Sequence, residues 1–194
     1  MMLAGLDEAG RGPLAGPVCA AAVILGRDFS LDILDDSKKL TSACRDKARR
    51  IICDEAHVWG IGWASHTEID SINILQASLL AMKRAYEDMI KRASEKNILL
   101  FNKDITAVAD GKFIPDIPVP CTAMVKADAQ VPEVMAASIL AKTARDSYMD
   151  EMAVLYPQYG YEKHKGYPTK AHRAAVLKYG PSPIQRLSFK VKEK

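Results

Sequence analysis

Short apolar runs separated by glycine, proline and polar residues predict a set of β-strands. The first two runs flank a loop rich in Gly and Pro, which favours a broad antiparallel pair. A later run ends at Asp110-Gly111, a pattern typical of a strand that stops at a turn. The predicted strands cover residues 3–6, 17–25, 58–64, 105–109 and about 123–126.

Three longer stretches have the spacing of amphipathic helices. The first follows Thr41, a good N-cap residue, and runs to about Ala56. The third begins at Pro132, where proline suits the first helical turn, and runs to about Met152. The second covers about residues 73–95, with apolar positions at steps of four and three that predict one buried face: Leu75, Leu79, Met82, Tyr86 and Met89.

Strands followed by alternating strands and helices are typical of an α/β domain with a mixed central β-sheet and helices packed on it. The 194 residues suit a single domain, 1–194, that can bury a sizeable core. Residues from about 156 to 194 are predicted to form a small, mostly helical C-terminal segment. Residues 161–194 hold nine Lys or Arg against two Glu, a charge of +7 in a chain whose total is +3. This basic segment suits a polyanion near a metal site, although a solvated tail explains it as well.

Cysteine usage and the N-terminal pattern bear on location. The four cysteines show no CxxC spacing and lie among apolar or mixed residues, which favours free thiols in a reducing compartment. The first apolar stretch is interrupted by Asp7 and Glu8, so the pattern predicts neither a signal peptide nor a membrane span. We therefore expect a soluble, cytoplasmic protein.

Candidate chemistry is concentrated in carboxylates at three predicted strand ends: Asp7 with Glu8, Asp110, and Asp128. Strand ends gather at one edge of an α/β sheet, so these acids can meet although they are far apart in sequence. Clustered carboxylates repel one another, whereas hard cations such as Mg²⁺ or Mn²⁺ prefer oxygen ligands. The pattern predicts a divalent-metal site. Glu8 is expected past the strand end, because neighbouring strand residues point to opposite faces.

Each of these features has an ordinary alternative. Asp110-Gly111 is a common turn sequence, and Asp128 alone suits a surface acid near a helix. In the third helix Ser138, Lys142 and Arg145 recur at steps of four and three, so one stripe can offer a hydroxyl and two cations to a phosphate backbone. A solvated charged face explains that stripe equally well. None of these features indicates a functional site when taken singly, and only their combination favours one.

Five separated motifs resemble the type 2 ribonuclease H family, ribonuclease HII, and the similarity covers nearly the whole chain. The motifs are Asp7–Val18, Asp36–Leu40, Asn73–Ser78, Ala136–Lys142 and His164–Thr169. The resemblance implies an RNase H-like fold and an endoribonuclease that cleaves the RNA strand of RNA–DNA hybrids. It also implies incision 5′ to single ribonucleotides in duplex DNA, as in ribonucleotide excision repair. Products would carry 3′-hydroxyl and 5′-phosphate ends.

The resemblance assigns roles to particular residues. Two divalent ions, Mg²⁺ or Mn²⁺, would be held by four catalytic acids. The loop of Gly10, Arg11 and Gly12 would sense the ribose 2′-hydroxyl by close backbone approach. Tyr167 would pack against the nucleotide at the RNA–DNA junction, and Lys38 would contact phosphate. The four acids are Asp7, Glu8, Asp110 and Asp128.

The resemblance also implies a monomer and contains one departure, Gln185, where the family often has histidine. A ribonuclease HIII is the nearest alternative, but it normally has a separate N-terminal domain, for which the position of Asp7 leaves no room. A non-catalytic nucleic-acid-binding module would keep the basic segment, yet four acids would weaken its binding to a polyanion. A phosphate-cradling nucleotidase loop is disfavoured because no Gly-Lys-Ser/Thr follows the glycines.

Overall fold

A computed structural model describes residues 1–34 and 41–190 and contains a five-stranded sheet of order β3-β2-β1-β4-β5. The central strand, β1, pairs antiparallel with β2 and parallel with β4. β3 pairs antiparallel with β2, and β5 pairs parallel with β4. The strands are β1 (Met2–Ala9), β2 (Val18–Ile24), β3 (Val58–Ala64), β4 (Ile105–Asp110) and β5 (Cys121–Met124).

Helix ends follow the local sequence signals. The Thr41 hydroxyl accepts from the Cys44 N–H at 3.2 Å and caps the first helix. Ser65 and Glu68 form a reciprocal capping box at the start of the second. The helices are α1 (Ser42–Glu55), α2 (His66–Glu95), α3 (Pro132–Leu155), α4 (Tyr161–His164) and α5 (Lys170–Tyr179). Short 3-10 turns cover Leu31–Ile33, Asn102–Asp104, Ala127–Ala129 and Pro157–Tyr159.

The sheet is covered on both faces. α2 packs on one face, mainly over β3 and β2, and α1 and α3 pack on the other. β3 lies very close to α2, since a Cβ atom on Gly62 would fall 2.1 Å from the Ala81 carbonyl oxygen. The contact surface of α2 is accordingly rich in small residues, with Ala77, Ala81 and Ala85 fully buried.

The structure confirms the mixed α/β class and the elements predicted from the pattern, with some changes of boundary. β1 continues to Ala9, beyond the predicted end at residue 6. β5 lies about two residues earlier than predicted, and α2 begins at His66 rather than near Asn73. Within the predicted stripe of α2, Met82, Tyr86 and Met89 are buried, whereas Leu75 and Leu79 are partly exposed.

The C-terminal segment returns to the loop between β1 and β2. Ala15 forms an isolated antiparallel bridge with Gln185, and the Gly16 N–H donates to the Ile184 carbonyl at 2.9 Å. Asp70 in α2 holds the following residues by accepting from the Leu187 and Ser188 N–H groups, both at 2.9 Å. Residues 184–188 are therefore fixed against the β1–β2 loop and α2.

Among residues 1–34 and 41–190, no helix is long and apolar enough to cross a membrane.

Candidate active site

Topology brings the predicted acids to one edge of the sheet. β1, β4 and β5 are adjacent parallel strands, so their carboxyl ends lie at the same edge. The register sets Leu6 beside Ala109, one residue before Asp7 and Asp110. Asp128 follows β5 in the 3-10 turn Ala127–Ala129 and is 7% exposed.

Asp7 is a buried carboxylate in an unfavourable environment. It is 5% exposed, and its Oδ1 accepts from the Glu8 N–H at 2.7 Å. Burial raises the pKa of Asp7 well above its ordinary value, and the negative charges of Glu8 and Asp110 raise it further. A hydrogen bond from Ser138 opposes this shift. The surroundings of Asp7 therefore disfavour its charged form, which a nearby cation would stabilise.

Glu8 does not lie past the strand end, contrary to the sequence expectation. It belongs to β1 and pairs in register with Ala20 of β2. Its Oε1 accepts from Arg11 Nη1 at 3.2 Å, and the Arg11 charge lowers the pKa of Glu8. Burial is the larger influence and, with the charge of Asp110, raises that pKa overall. Both carboxylates of this pair are nevertheless near Asp110, whose negative charge raises the pKa of each.

The donor types suit a divalent cation, but the side chains do not form a closed cage. Asp110 Oδ1 accepts from the Ala127 N–H at 2.8 Å, which turns that carboxylate toward the backbone of the 3-10 turn. Within the described residues, no three acidic, His or Cys side chains are grouped closely enough to hold a metal ion. Carboxylate oxygens and mutual repulsion at this edge nevertheless fit a hard dication.

Arg145 has a different role from the one its spacing suggested. It is 1% exposed and donates to three backbone carbonyls: Nε to Pro17 at 3.0 Å, Nη1 to Lys165 at 3.0 Å and Nη2 to Ala15 at 3.2 Å. A direct phosphate contact is incompatible with this burial. The reason is geometric, because the β1–β2 loop folds over the residue that the helical period places at the surface.

Arg186 was not predicted from the sequence. It is fully buried, and its guanidinium donates to the carbonyls of Gly10 (2.6 Å), Arg11 (3.0 Å), Gly16 (2.8 Å) and Pro17 (3.1 Å). The family pattern extends to its neighbour Gln185, but no role was predicted for Arg186 itself. Only the return of the C-terminal segment brings it beside the loop.

Gly10 and Gly12 are surrounded differently. Gly10 has φ of +100°, and a Cβ atom there would fall 2.1 Å from Arg145 Nε. Gly12 has no such conformation, and its Cβ atom would lie 3.6 Å from Tyr167 Cε1, an ordinary contact. The protein itself thus explains glycine at position 10 but not at position 12.

Tyr167 lies beside this loop with an exposed ring. It is 41% exposed, and the Arg145 guanidinium lies 5.9 Å from its ring centroid. The neighbouring Gly166 carbonyl accepts from the Leu14 N–H at 2.8 Å, which ties the two loops together. An exposed aromatic ring on a fixed loop can serve as a stacking platform.

The other predicted substrate contacts fall in three environments. Ser138 is 6% exposed and faces Asp7, so its hydroxyl supports that carboxylate. Lys142 is partly exposed and pairs with Asp146 at 2.7 Å. Lys38 lies outside the described residues.

Gln185, the departure from the family pattern, is 4% exposed, and neither of its amide atoms has a hydrogen-bond partner among the described residues.

The four acids lie apart from the cavity of about 620 Å³ near Trp63 and Tyr148 on the side of α3, since none of them lines it. Asp7 and Asp128 are nearly buried, whereas Arg11 and Gly12 in the loop that follows β1 are exposed. The exposed part of this region is therefore the loop, which a long ligand can contact.

Comparisons with known proteins agree with this arrangement. The sequence profile described as Ribonuclease HII matches residues 4–192. A Ribonuclease HII of Treponema denticola is 57% identical over 199 residues, covering 98% of this chain and 99% of the relative. The RNase HII in a PCNA complex from Archaeoglobus fulgidus superposes with a TM-score of 0.73 at 24% identity, covering 100% of this chain and 98% of that one. Bst-RNase HIII in complex with Mn²⁺ gives 0.77 at 16% identity, covering 97% and 67%.

The mixed five-stranded sheet with its packed helices is an RNase H-like fold. Among proteins with this fold, the chain belongs to the ribonuclease HII family. It is a metal-dependent ribonuclease, a hydrolase that acts on the RNA of RNA–DNA hybrids.

Proposed function

We propose that this enzyme incises duplex DNA on the 5′ side of single embedded ribonucleotides, as well as cleaving longer RNA in hybrids. Hydrolysis would leave 3′-hydroxyl and 5′-phosphate ends. The observation that carries the proposal is the meeting of Asp7, Glu8 and Asp110 at one sheet edge, where burial and mutual repulsion raise the pKa values of Asp7 and Glu8. Such an edge is poorly stable unless cations occupy it.

Four acids are the proposed catalytic metal ligands: Asp7, Glu8, Asp110 and Asp128. Two bound ions, Mg²⁺ or Mn²⁺, would supply the positive charge that activates water and stabilises the leaving 3′ oxygen. The chain contributes by holding the carboxylates in place. Ser138 donates to Asp7, Arg11 to Glu8, and the Ala127 N–H to Asp110.

The substrate would lie beside the β1–β2 loop, near the carboxyl ends of β1 and β4. Arg11 and Gly12 are exposed there, which supports close approach of their backbone to a ribose. Tyr167 offers its exposed ring to the nucleotide at the junction. Lys142 is partly exposed and can contact phosphate if it leaves Asp146, and Lys38 is retained as a phosphate contact from its motif.

The direct test is a gel assay with Mg²⁺ or Mn²⁺ on a DNA duplex that contains one ribonucleotide. The matched substrates are the same duplex without the 2′-hydroxyl and a long RNA–DNA hybrid. The matched variant is Asp7→Asn, which keeps the size of the side chain and removes its charge. We expect incision only by the wild type, only in the presence of the metal, and only on the 5′ side of the ribonucleotide.

Three results would each contradict a part of the proposal. Incision that survives saturating chelator contradicts the role of the metal. Cleavage of the hybrid without incision at the single ribonucleotide contradicts the substrate assignment while leaving the family activity intact. Full activity of Asp7→Asn removes Asp7 from the site.

Tyr167 provides a second prediction, because its proposed contact is specific to the RNA–DNA junction. Tyr167→Ala should lower kcat/KM at a single ribonucleotide by about tenfold, the loss expected for one base-stacking contact, and affect long hybrids less. Tyr167→Phe keeps the ring and is the control. Equal losses on the two substrates would contradict the junction role.

We further infer a cytoplasmic monomer that acts in ribonucleotide excision repair. All four cysteines are free thiols, and Cys44 is exposed, which supports a reducing compartment. Light scattering that gives a mass near 21.3 kDa would agree with the monomer. A mass twice as large would contradict it.

A further inference from the structure

We infer that Arg186 is a positioning residue that aims the N–H groups of Arg11 and Gly12 at an acceptor oxygen on the substrate ribose. The inference rests on the proposed function, because it concerns how the same loop distinguishes RNA from DNA. It assigns the distinction to a side chain that itself touches no substrate.

The first step is the pattern of hydrogen bonds. Arg186 Nη2 donates to the Gly10 carbonyl at 2.6 Å, and Nη1 donates to the Arg11 carbonyl at 3.0 Å. A single planar guanidinium therefore holds two consecutive peptide groups. Its other two bonds, to Gly16 and Pro17, tie the same group to the far end of the loop.

The second step follows from peptide geometry. In a planar trans peptide the C=O and N–H bonds point in opposite directions. The Gly10 carbonyl shares its peptide with the Arg11 N–H, and the Arg11 carbonyl shares its peptide with the Gly12 N–H. Because both carbonyls face Arg186 in the interior, both N–H groups face away from it. Arg11 and Gly12 are exposed, so these two donors are directed toward the solvent side of the loop.

The third step is that other contacts fix different residues of the loop. Leu14 and Gly16 are held by backbone bonds to Gly166 and Ile184, and the Arg186 N–H donates to the Leu14 carbonyl at 2.8 Å. Arg145 bonds only to the carbonyls of Ala15 and Pro17 within this loop. The orientation of the peptides at residues 10–12 thus depends on Arg186.

The fourth step is the electrostatic cost of this arrangement. Burial, and then the positive charge of Arg145, lower the pKa of Arg186 to about 9. Two buried cations near each other oppose folding. A guanidinium is nevertheless suited to this position, because its fork of donors can satisfy several carbonyls at once.

The experiment compares binding to two duplexes that differ by one 2′-hydroxyl. The chain carries Asp7→Asn in every sample, so that no substrate is consumed, and affinity is measured by fluorescence anisotropy with Mg²⁺ present. Arg186→Lys keeps the charge but replaces the planar fork with a single nitrogen. Arg186→Gln removes the buried charge, which favours a folded variant should the lysine form fail to fold. Ser188→Ala is the control, since it weakens the hold of Asp70 on the same segment without touching the loop.

We expect the Asp7→Asn parent and the Ser188→Ala control to prefer the ribonucleotide duplex. The Arg186 variants should lose roughly tenfold of that preference, the effect of one or two misdirected hydrogen bonds. Their affinity for the all-DNA duplex should change less than about twofold, because the phosphate contacts remain.

An unchanged preference in the Arg186 variants would overturn the inference. Equal loss of affinity for the two duplexes would also overturn it, because it would indicate a purely structural residue. Failure of the proposed function appears elsewhere: the wild type would not incise at the ribonucleotide, and the parent would have no preference to lose.

Discussion

At the residue scale, two glycines of one loop are constrained by different partners. Gly10 combines a left-handed φ with contact against Arg145, so an alanine there meets both backbone strain and a clash. Gly12 has no left-handed φ, and a Cβ atom there would make only an ordinary contact with the Tyr167 ring. If glycine is needed at position 12, the need comes from the substrate.

Alanine substitutions at Gly10 and Gly12 should have different effects, the first on stability and the second on activity. Gly10→Ala should lower the free energy of unfolding by about 2 kcal/mol or more. Gly12→Ala should leave it within about 0.5 kcal/mol, yet reduce incision at a single ribonucleotide severely, because the added methyl lies where the ribose approaches. Urea unfolding and the gel assay check the two effects. Full activity of a folded Gly12→Ala enzyme would contradict close backbone approach.

At the element scale, α2 is interrupted at the residue where the sequence predicted its start. Asn73 has φ 67° and ψ 165°, which is not helical. Its Oδ1 accepts from the Leu75 N–H at 3.0 Å and the Gln76 N–H at 3.2 Å, so it caps the second part of the helix. The prediction of a helix from Asn73 was therefore correct for the second part and missed the preceding turns.

Substitutions at Asn73 should follow a definite order. Asn73→Ala keeps a Cβ at positive φ and removes the side-chain cap that accompanies it in the wild type, so we expect a loss of about 1–3 kcal/mol in the free energy of unfolding. Asn73→Gly also loses the side-chain cap but tolerates the backbone, and should cost less. Chemical denaturation of the three proteins measures the order. Equal stability of the alanine and glycine variants would show that the backbone is not strained.

The turn that carries Tyr167 is supported by two stacked histidines. The rings of His164 and His172 are 4.6 Å apart between centroids. Nε2 of His164 donates to the Tyr159 carbonyl at 2.9 Å, and Nδ1 of His172 donates to the Tyr167 carbonyl at 3.0 Å. Burial lowers the pKa of both rings, and the charge of His164 lowers that of His172 further. Glu162 acts in the opposite direction on His164.

This pair predicts a loss of stability in mild acid. Above about pH 6.5 the histidines are neutral in both the folded and the unfolded chain. As the pH falls below that value, the unfolded chain takes up protons that the folded protein resists, so stability decreases. Between pH 7.5 and 5.5 the wild type should lose about 1 kcal/mol more than His172→Asn, which keeps a donor for Tyr167 and does not titrate. If the free energy of unfolding fell equally with pH in the wild type and in His172→Asn, the histidine pair would not be the cause of the loss.

At the scale of the whole molecule, the cluster of acids opposes the stability of the fold. Asp7 lies on the central strand, β1, buried beside two other negative charges. Removal of such a charge relieves repulsion, so a variant without it can be more stable than the wild type. A bound dication would relieve the same repulsion and stabilise the folded state.

We therefore predict opposite effects of Asp7→Asn on stability and on metal response. Without divalent ions, the variant should be more stable than the wild type by about 1–3 kcal/mol. Mn²⁺ should raise the melting temperature of the wild type and have much less effect on the variant. Thermal denaturation with chelator and with Mn²⁺ measures both. A less stable variant, or an equal response to Mn²⁺, would contradict the electrostatic argument.

The sequence by itself determined the α/β class, most elements and the candidate acids, because hydrophobic period, capping residues and motifs are local properties of the chain. Only the tertiary structure decided what the arginines do. Arg145 follows a helical period that is typical of a surface cation, and Arg186 follows no period at all. Both are buried because the β1–β2 loop and the C-terminal segment, some 170 residues apart, meet and present unpaired carbonyls that only long, multiply donating side chains can reach. Pairing with Ala20 of β2 extended β1 through Glu8, which the apolar pattern of residues 3–6 did not predict.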